Sequence, residues 1–281
     1  LGKVDVVFTA TPHGMAMDLI PKLLQAGKKA IDISADFRIT DPKVFEAWYA
    51  TPHKAVPELK TAVYGLPELY KEAIKEAELI ANPGCYPTVS ILSLAPLLKE
   101  KLIDPETIII DAKSGVSGAG RAPKLNVHFP EINEGMVAYS VGNHRHTPEI
   151  EQELGKLAGK VVTINFTPHL IPISRGMIAT SYAKLLKKIS TEELLALYEK
   201  FYKSAPFVRI MDQGVMPHAK SVAGSNFCDL GLVADTRTGR VIVCGAIDNL
   251  MKGAASQAVQ NMNLMCGFDE KEGIGGTPIF P

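Results

Sequence analysis

The fold class is decided by residues 4–38, which read VDVVFTATPHGMAMDLIPKLLQAGKKAIDISADFR. The apolar, β-branched run from Val4 to Thr9 predicts a buried strand, and apolar residues then recur at helical spacing from Met15 to Leu24. A second strand of the buried type is predicted from Ala30 to Ser34. Strand, helix and strand in this order are typical of a parallel α/β sheet.

Further along the chain the pattern changes to a mixed or antiparallel sheet. A strand at 77–81 leads to Asn82-Pro83-Gly84-Cys85, after which a helix is predicted from Pro87 to Leu98. A second helix is predicted behind Ser190 as N-cap, and a third behind Thr147 as N-cap. Further strands are predicted at 107–112, 161–166, 177–186, 207–210, 229–234 and 241–246, with a hairpin turn at 236–239. An Ala-rich helix is predicted at 248–265, and its small residues would let it approach another element closely.

Composition excludes several classes of protein. The 281 residues carry 30 Lys and Arg against 30 Asp and Glu, which argues against a disordered chain and against a basic nucleic-acid binder. No apolar run has the length of a membrane span, and no signal peptide is recognisable. The four cysteines are widely spaced and form no CxxC pair, which predicts reduced thiols and a cytoplasmic protein.

Cys85 is the first candidate for chemistry. A cysteine at a strand-to-helix turn lies close to unpaired backbone N–H groups and to the positive end of the helix dipole, both of which stabilise a thiolate. Cys85 is therefore a candidate nucleophile. The alternative is a packed structural cysteine, because free cysteines are among the most often buried residues.

His144-Arg145-His146, just before the third predicted helix, offers a general base and an anion contact. The same histidines could be ordinary loop residues. We predict no metal here, because no carboxylate or cysteine stands at ligand spacing.

Two further segments could bind an anion or a cofactor. The loop from Gly115 to Arg121 is rich in glycine and can approach a phosphate or a planar ring, although its composition taken alone favours a plain surface turn. Arg38 follows a predicted strand end, where open α/β sheets bind ligands, but a salt bridge with Asp36 or Asp41 is the simpler alternative.

Six segments in a fixed order resemble the N-acetyl-γ-glutamyl-phosphate reductase family of arginine biosynthesis. They are ATPHG at 10–14, DISADFR at 32–38, NPGCYPT at 82–88, SGVSGAGR at 114–121, GNHRHTPEIEQEL at 142–154 and PHLIPISRGM at 168–177. The segments around Cys85 and His144 are the specific ones, whereas the glycine loop is shared more widely with aspartate-semialdehyde dehydrogenases. The resemblance covers essentially the whole chain.

The resemblance implies a Rossmann-type dinucleotide-binding domain joined to an α+β catalytic domain with a mixed sheet. The implied ranges are 1–84 for the cofactor domain, 85–247 for the catalytic and dimerisation domain, and 248–281 for a C-terminal helix that packs on the cofactor domain. Members of the family begin with a strand, a GxxGxxG turn and a helix. The sequence printed here contains no such segment, so we expect a fragment that lacks the first βαβ segment and binds the cofactor poorly.

The resemblance also implies an activity and a set of site residues. The activity is the NADPH-dependent reduction of an acyl phosphate to an aldehyde, with Cys85 as nucleophile and His144 or His146 as acid and base; we favour His144 slightly. The implied substrate-binding residues are Arg38, Asn82, Arg121 and Arg175. The implied cofactor-binding residues are Thr11, Pro12, His13, Gly14, Ser34, Ser117, Gly118, Ala119 and Asn249.

Three alternatives remain at this point. The closest is an aspartate-semialdehyde dehydrogenase, against which the HRHTPEI segment argues. A thiol hydrolase or acyltransferase would use Cys85 without a nucleotide, and a non-catalytic assembly protein would keep only the scaffold. The family implies a homodimer or homotetramer that binds a small acyl phosphate and phosphate, and neither nucleic acid nor a membrane. The sequence does not decide whether the cofactor is NADP or NAD.

Overall fold

The computed structural model describes residues 2–279, which form two compact units. One unit contains the described residues up to Gly84 together with Ala254–Gly275, and the other contains Cys85–Gly253 together with the described residues from Gly276 onward. Each unit has its own sheet.

In chain order the strands are β1 (Val6–Thr9), β2 (Lys29–Asp32), β3 (Val63–Tyr64), β4 (Leu79–Ala81), β5 (Ile103–Gly115), β6 (Val137–Ala138), β7 (Asn165–Ile171), β8 (Met177–Leu185), β9 (Val208–Ile210), β10 (Cys228–Asp235) and β11 (Arg240–Ile247). The helices are α1 (Ala16–Gln25), α2 (Pro42–Tyr49), α3 (Val56–Leu59), α4 (Pro67–Lys75), α5 (Cys85–Lys99), α6 (Phe129–Ile132), α7 (Thr147–Ala158), α8 (Thr191–Phe201) and α9 (Ser256–Cys266).

The first unit is a parallel sheet covered on both faces. Its strands lie in the order β1-β2-β4-β3, and every pair is parallel. Neighbouring residues of β2 enter opposite cores, because Ala30 packs with α1 and α2 while Ile31 packs with α4 and α9. Burial on both faces explains why these strands are continuous apolar runs. The predicted parallel α/β arrangement is confirmed.

The second unit is built on a mixed sheet. Its strands lie in the order β6-β7-β5-β8-β11-β10-β9; the β5–β7 and β9–β10 pairs are parallel and the other pairs are antiparallel. Helix α5 packs on β5, β8 and β11, and its side chains from Tyr86 to Leu98 are all buried. The predicted hairpin of β10 and β11 is confirmed, and so is the Ser190 cap of α8, where Ser190 and Glu193 form a reciprocal capping box.

Several boundaries differ from the prediction. Helix α5 begins at Cys85 rather than at Pro87, and α7 begins at Thr147 with His146 in the N-cap position. The strand predicted at 161–166 lies later in the chain: it runs from Asn165 to Ile171, and Val161 is 91% exposed. The predicted helix at 248–265 starts with a π-helical turn at Met251–Ala255 before α9.

Near the end of the chain, the predicted domain boundary between residues 247 and 248 differs from the boundary between the two units of the structure. Residues 248–253 belong to the second unit and 254–275 to the first, where α9 packs on α4 and β2. The assignment of functions to these ranges stays a prediction. Among the helices that the structure describes, none has the length and apolar character needed to span a membrane.

Candidate active site

Cys85 is the first residue of α5 and is half-buried. The first N–H groups of a helix have no partner within the helix, and together with the helix dipole they stabilise a negative charge on the thiol. Gly253 lies directly against this residue. A Cβ at position 253 would lie 2.7 Å from Cys85 Cβ and 3.3 Å from its Cα, so only glycine fits there without displacing Cys85.

Both candidate histidines pack on the residue that follows Cys85. The Tyr86 ring lies 5.5 Å from the His144 ring and 6.0 Å from the His146 ring, measured between centroids. The two histidine rings are 4.9 Å apart, and Phe166 on β7 closes the cluster at 5.3 Å from His144. The structure therefore brings the histidine segment to the first turn of α5, as the proposed chemistry requires.

His144 is neutral at neutral pH. Burial, and secondarily the Arg145 charge, lower the pKa of His144 to about 4. Its Nδ1 lies 3.1 Å from the backbone N–H of His146 and accepts a hydrogen bond from it. The neutral ring therefore carries its proton on Nε2, from which it can donate a hydrogen bond. The assignment of the acid and base to one histidine stays a prediction.

Two phenols, of the buried Tyr86 and the half-buried Tyr139, lie beside the same turn. Tyr139 donates a hydrogen bond to the Tyr86 hydroxyl at 3.2 Å, and Tyr86 donates to the backbone carbonyl of His169 at 3.3 Å. Burial raises the pKa of Tyr139 to about 12 and that of Tyr86 further, and the charge of Cys85 is a smaller cause in the same direction. Both hydroxyls therefore stay protonated near the Cys85 sulfur.

The glycine loop is held by two other segments, and we call residues 114–119, 172–176 and 248–250 the three-loop cluster. Val116 N donates to Ile173 O at 2.9 Å, and Ser117 N donates to Ser174 O at 3.1 Å. The approach is so close that a Cβ at Gly115 would lie 2.9 Å from three backbone atoms of residues 173–175. Backbone rather than flexible side chains therefore defines this surface.

Asn249 joins the three segments. Its buried side chain accepts a hydrogen bond from Gly176 N at 2.8 Å and donates one to Ser117 Oγ at 3.0 Å. Gly118 lies next to it, because a Cβ there would lie 2.7 Å from Ser114 Oγ and 3.5 Å from the Asn249 amide nitrogen. The predicted cofactor residues Ser117, Gly118, Ala119 and Asn249 are thus gathered in one place, and their contact with a cofactor stays a prediction.

The predicted anion-binding arginines of this unit differ in their surroundings. Arg175 forms an ion pair with the buried Asp248, with Nη2 at 3.0 Å from Oδ2, and its own side chain is 41% exposed. Arg121 is exposed and makes no hydrogen bond within residues 2–279. The structure therefore places Arg175 in the three-loop cluster, whereas it does not bring Arg121 to a partner.

Arg38 and Asn82, in the first unit, both donate hydrogen bonds to backbone carbonyls. Arg38 is buried, and it donates from Nε to Asn82 O and from Nη2 to Ile33 O, both at 2.7 Å. Asn82 is also buried; its amide donates to Ala254 O and accepts from Asn261, both at 3.1 Å. These contacts are structural, and a role of either side chain in substrate binding stays a prediction.

The predicted cofactor residues Thr11 to Gly14 and Ser34 follow neighbouring strands of the first sheet. Ser34 Oγ donates to Asp32 Oδ2 at 2.7 Å, so its hydroxyl already has a partner. Asp36 accepts from Gly14 N at 2.8 Å and from Ala16 N at 3.1 Å, which occupies the N–H groups at the start of α1. Pro12 and His13 are exposed, and the His13 ring meets Tyr49 edge-on at 5.2 Å between centroids.

The loop 11–14 fits a bound dinucleotide in one respect. Thr11 Oγ1 is buried and has no hydrogen-bond partner within residues 2–279, and a polar group of a ligand would satisfy it. Within the same residues, no group of three or more His, Cys, Asp or Glu side chains could hold a metal ion.

Sequence reasoning missed four residues of this site: Tyr86, Tyr139, Asp248 and Gly253. Tyr86 and Tyr139 are 53 positions apart and meet only in the folded chain. The run of small residues around Gly253 was recognised as allowing a close approach, but the sequence does not say that the element approached is Cys85.

Comparisons with known proteins identify the fold and the family. Residues 1–77 match the family "Semialdehyde dehydrogenase, NAD binding domain", and residues 85–249 match "Semialdehyde dehydrogenase, dimerisation domain". Among solved structures, aspartate semialdehyde dehydrogenase II from Vibrio cholerae has a TM-score of 0.72 at 18% identity, covering 94% of this chain and 80% of its own. Aspartate semialdehyde dehydrogenase with NADP from Candida albicans has a TM-score of 0.65 at 14% identity, covering 94% and 78%. These likenesses show the fold.

Much closer relatives carry one name. Two proteins named N-acetyl-gamma-glutamyl-phosphate reductase, from Geobacter metallireducens and Desulforudis audaxviator, are 57% and 56% identical over 99% of this chain and 81% of their own length. The protein of that name from Pelotomaculum thermopropionicum is 54% identical over 99% of this chain and 80% of its own. An identity this high along nearly the whole chain shows that the chain belongs to the N-acetyl-γ-glutamyl-phosphate reductase family.

Proposed function

We propose that this protein is an oxidoreductase that reduces N-acetyl-γ-glutamyl phosphate with NADPH to N-acetylglutamate 5-semialdehyde and phosphate, in arginine biosynthesis. The observation that carries the proposal is Cys85 at the first turn of α5, with His144 and His146 packed on the next residue. The relatives at 54–57% identity are named for this reaction.

The first half of the proposed reaction takes place at the Cys85 sulfur. The thiolate attacks the acyl-phosphate carbonyl, a C–S bond forms, and the C–O bond to phosphate breaks, so that phosphate leaves with the bonding pair. The product is a thioester on Cys85. Cysteine suits this step because a thiolate is strongly nucleophilic near neutral pH, and its thioester is a good hydride acceptor.

When bound, NADPH supplies the hydride that brings the thioester carbonyl to the aldehyde level. The residues proposed to hold it are Thr11 to Gly14 and Ser34 in the first unit, and Ser117 to Ala119 and Asn249 in the second. A histidine of the 144–146 segment is the proposed acid and base: its ring N–H donates a hydrogen bond to the negatively charged oxygen of the tetrahedral intermediate on Cys85, and this oxygen regains its double bond as the C–S bond breaks. Cys85 then regains its thiolate and the aldehyde leaves.

Two charged groups on the substrate, the α-carboxylate and the phosphate, need partners. Arg175 is proposed to bind the α-carboxylate or the phosphate, because its planar guanidinium matches both groups. Arg121, Arg38 and Asn82 are proposed as further substrate contacts on the resemblance alone, and the backbone contacts of Arg38 and Asn82 argue for a supporting role.

A homodimer formed through the second unit is proposed as the assembly. One face of the mixed sheet packs on α5, whereas the opposite face carries half-buried or exposed side chains, both polar and apolar. Tyr182 on β8 lies opposite Ile109 and Ile242 on the adjacent strands, so the three side chains share that face. Ile109 is 40% exposed, and the matched family is described as a dimerisation domain. A homotetramer is the alternative.

The test of the proposed function is the phosphate-dependent reverse reaction, followed by NADPH absorbance in the full-length protein. Reduction of NADP⁺ is expected with N-acetylglutamate semialdehyde and phosphate. Faster turnover of aspartate semialdehyde would instead support an aspartate-semialdehyde dehydrogenase. Hydrolysis of thioesters without nucleotide, and no NADP⁺ reduction, would support a cysteine hydrolase or acyltransferase.

A further inference from the structure

Asp248 is a buried carboxylate that the chemistry proposed above does not use. It directly follows β11 and is 0% exposed. Its Oδ1 accepts hydrogen bonds from Leu250 N at 2.9 Å and from Met251 N at 3.1 Å, and its Oδ2 accepts one from Gly224 N at 2.7 Å. The carboxylate therefore fixes the backbone that leads from β11 into the π-helical turn.

The same carboxylate orients Arg175. The Nη2 atom of Arg175 lies 3.1 Å from Oδ1 and 3.0 Å from Oδ2 of Asp248. Its Nε and Nη1 have no hydrogen-bond partner in the part of the chain that the structure describes, and the side chain is 41% exposed. One nitrogen of the guanidinium is thus anchored, while the remaining donors can bind an anion.

The backbone of Asp248 also holds the glycine behind Cys85. Its carbonyl accepts a hydrogen bond from Gly253 N at 3.0 Å. Gly253 is the residue on which Cys85 packs, with space for no added Cβ. Asp248 therefore contacts Arg175, the candidate anion-binding residue, through its side chain, and it contacts Gly253, which packs on Cys85, through its backbone.

We propose that Asp248 is a positioning residue that holds the Arg175 guanidinium and Gly253 in place, so that an anionic substrate is bound in the correct position for the Cys85 sulfur. The identity of that substrate as an acyl phosphate rests on the proposed function. A capping role alone would explain the hydrogen bonds from the N–H groups of Leu250 and Met251, but it would not explain the ion pair with Arg175.

The experiment compares Asp248→Asn, Arg175→Gln and the double variant. Asp229→Asn is the matched control, because Asp229 is an equally buried carboxylate whose partner is Arg209, at 2.6 Å and 2.8 Å. The first readout is the KM for phosphate and for N-acetylglutamate semialdehyde in the reverse reaction. The second is the rate of Cys85 alkylation by iodoacetamide as a function of pH, which requires neither substrate nor cofactor.

Arg175→Gln is expected to raise one of these KM values roughly 10- to 100-fold, the effect of losing a charge-assisted hydrogen bond, and to leave the alkylation profile unchanged. Asp248→Asn is expected to raise the same KM and also to change the alkylation rate. The double variant should show a KM no higher than that of the worse single variant, because the two residues act as one unit.

The proposal is overturned if Asp248→Asn changes stability to the same extent as Asp229→Asn and leaves both KM and alkylation as in the control. Full additivity of the two KM effects would overturn it as well. If Asp248→Asn does not fold, Asp248→Ser, which keeps a capping oxygen, takes its place. A wild-type protein without activity on either semialdehyde refutes the proposed function, whereas the alkylation comparison still decides the positioning of Cys85.

Discussion

Replacing Gly253 by alanine should move Cys85, the proposed nucleophile, while leaving its chemistry intact. The added Cβ would lie 2.7 Å from Cys85 Cβ, whereas carbon atoms in van der Waals contact are about 3.5–4.0 Å apart. The two residues must therefore separate by about 1 Å. A 1 Å misplacement of reacting groups can cost about 10²-fold in rate, and forcing an extra methyl group into a packed region costs about 1–3 kcal/mol.

Gly245→Ala provides the matched control for this prediction. A Cβ at Gly245 would lie 2.7 Å from both Ser93 Oγ and Val89 Cγ2, so it strains the same helix, α5, away from Cys85. Both variants should lose a similar free energy of unfolding in denaturant titrations. Only Gly253→Ala should also lose about 10²-fold in kcat and change the iodoacetamide reactivity of Cys85.

The kcat values of the two variants can contradict this prediction directly. Equal kcat values for Gly253→Ala and Gly245→Ala would show that the fit between Gly253 and Cys85 does not matter for catalysis. Wild-type kcat in Gly253→Ala would show that the first turn of α5 tolerates the displacement, and the argument for a rigid nucleophile would then be wrong.

Four further predictions concern the residues around Cys85 and the open face of the sheet. Cys85→Ser should abolish reduction and keep the free energy of unfolding, and retained turnover would exclude a covalent thioester. Of His144→Gln and His146→Gln, the variant that removes the acid and base should lose about 10²–10⁴-fold in rate, and losses below tenfold in both would reject the segment. The pKa of His144 is lowered to about 4, so the folded protein binds fewer protons than the unfolded chain between about pH 6.5 and 4. The free energy of unfolding should therefore fall by up to about 3 kcal/mol as the pH falls through this window. His144→Gln should lose this pH dependence in denaturant titrations. Tyr182→Glu should convert the proposed dimer to a monomer, measured by light scattering, whereas Leu186→Glu, at a residue 59% exposed, should not. If the Tyr182→Glu variant is still a dimer, the interface lies elsewhere.

Much of the fold was predictable because its signals are local. Periodic apolar runs identified β1, α1 and β2, and Ser190 with Glu193 identified the start of α8 from two side chains three residues apart. The start of α5 was predicted two residues late, because a helix buried on all sides has no polar stripe to mark its first turn. The strand β7 was displaced because pairing of Asn165 with Ile109, and not the apolar character of Val161, decides where that strand begins.

The family could be identified from the sequence alone, and Cys85 could be predicted as the nucleophile, since the motif around it is continuous and a cysteine at a helix start has a chemistry of its own. The surroundings of the sulfur follow from the folded chain: Gly253 lies 168 positions away, and the Asp248–Arg175 pair spans 73. The tertiary structure likewise showed that Arg38 and Asn82 donate hydrogen bonds to backbone carbonyls, Arg38 to that of Asn82 and Asn82 to that of Ala254. Motif order gives no distances, and burial, close approach and hydrogen-bond partners arise only when distant segments pack.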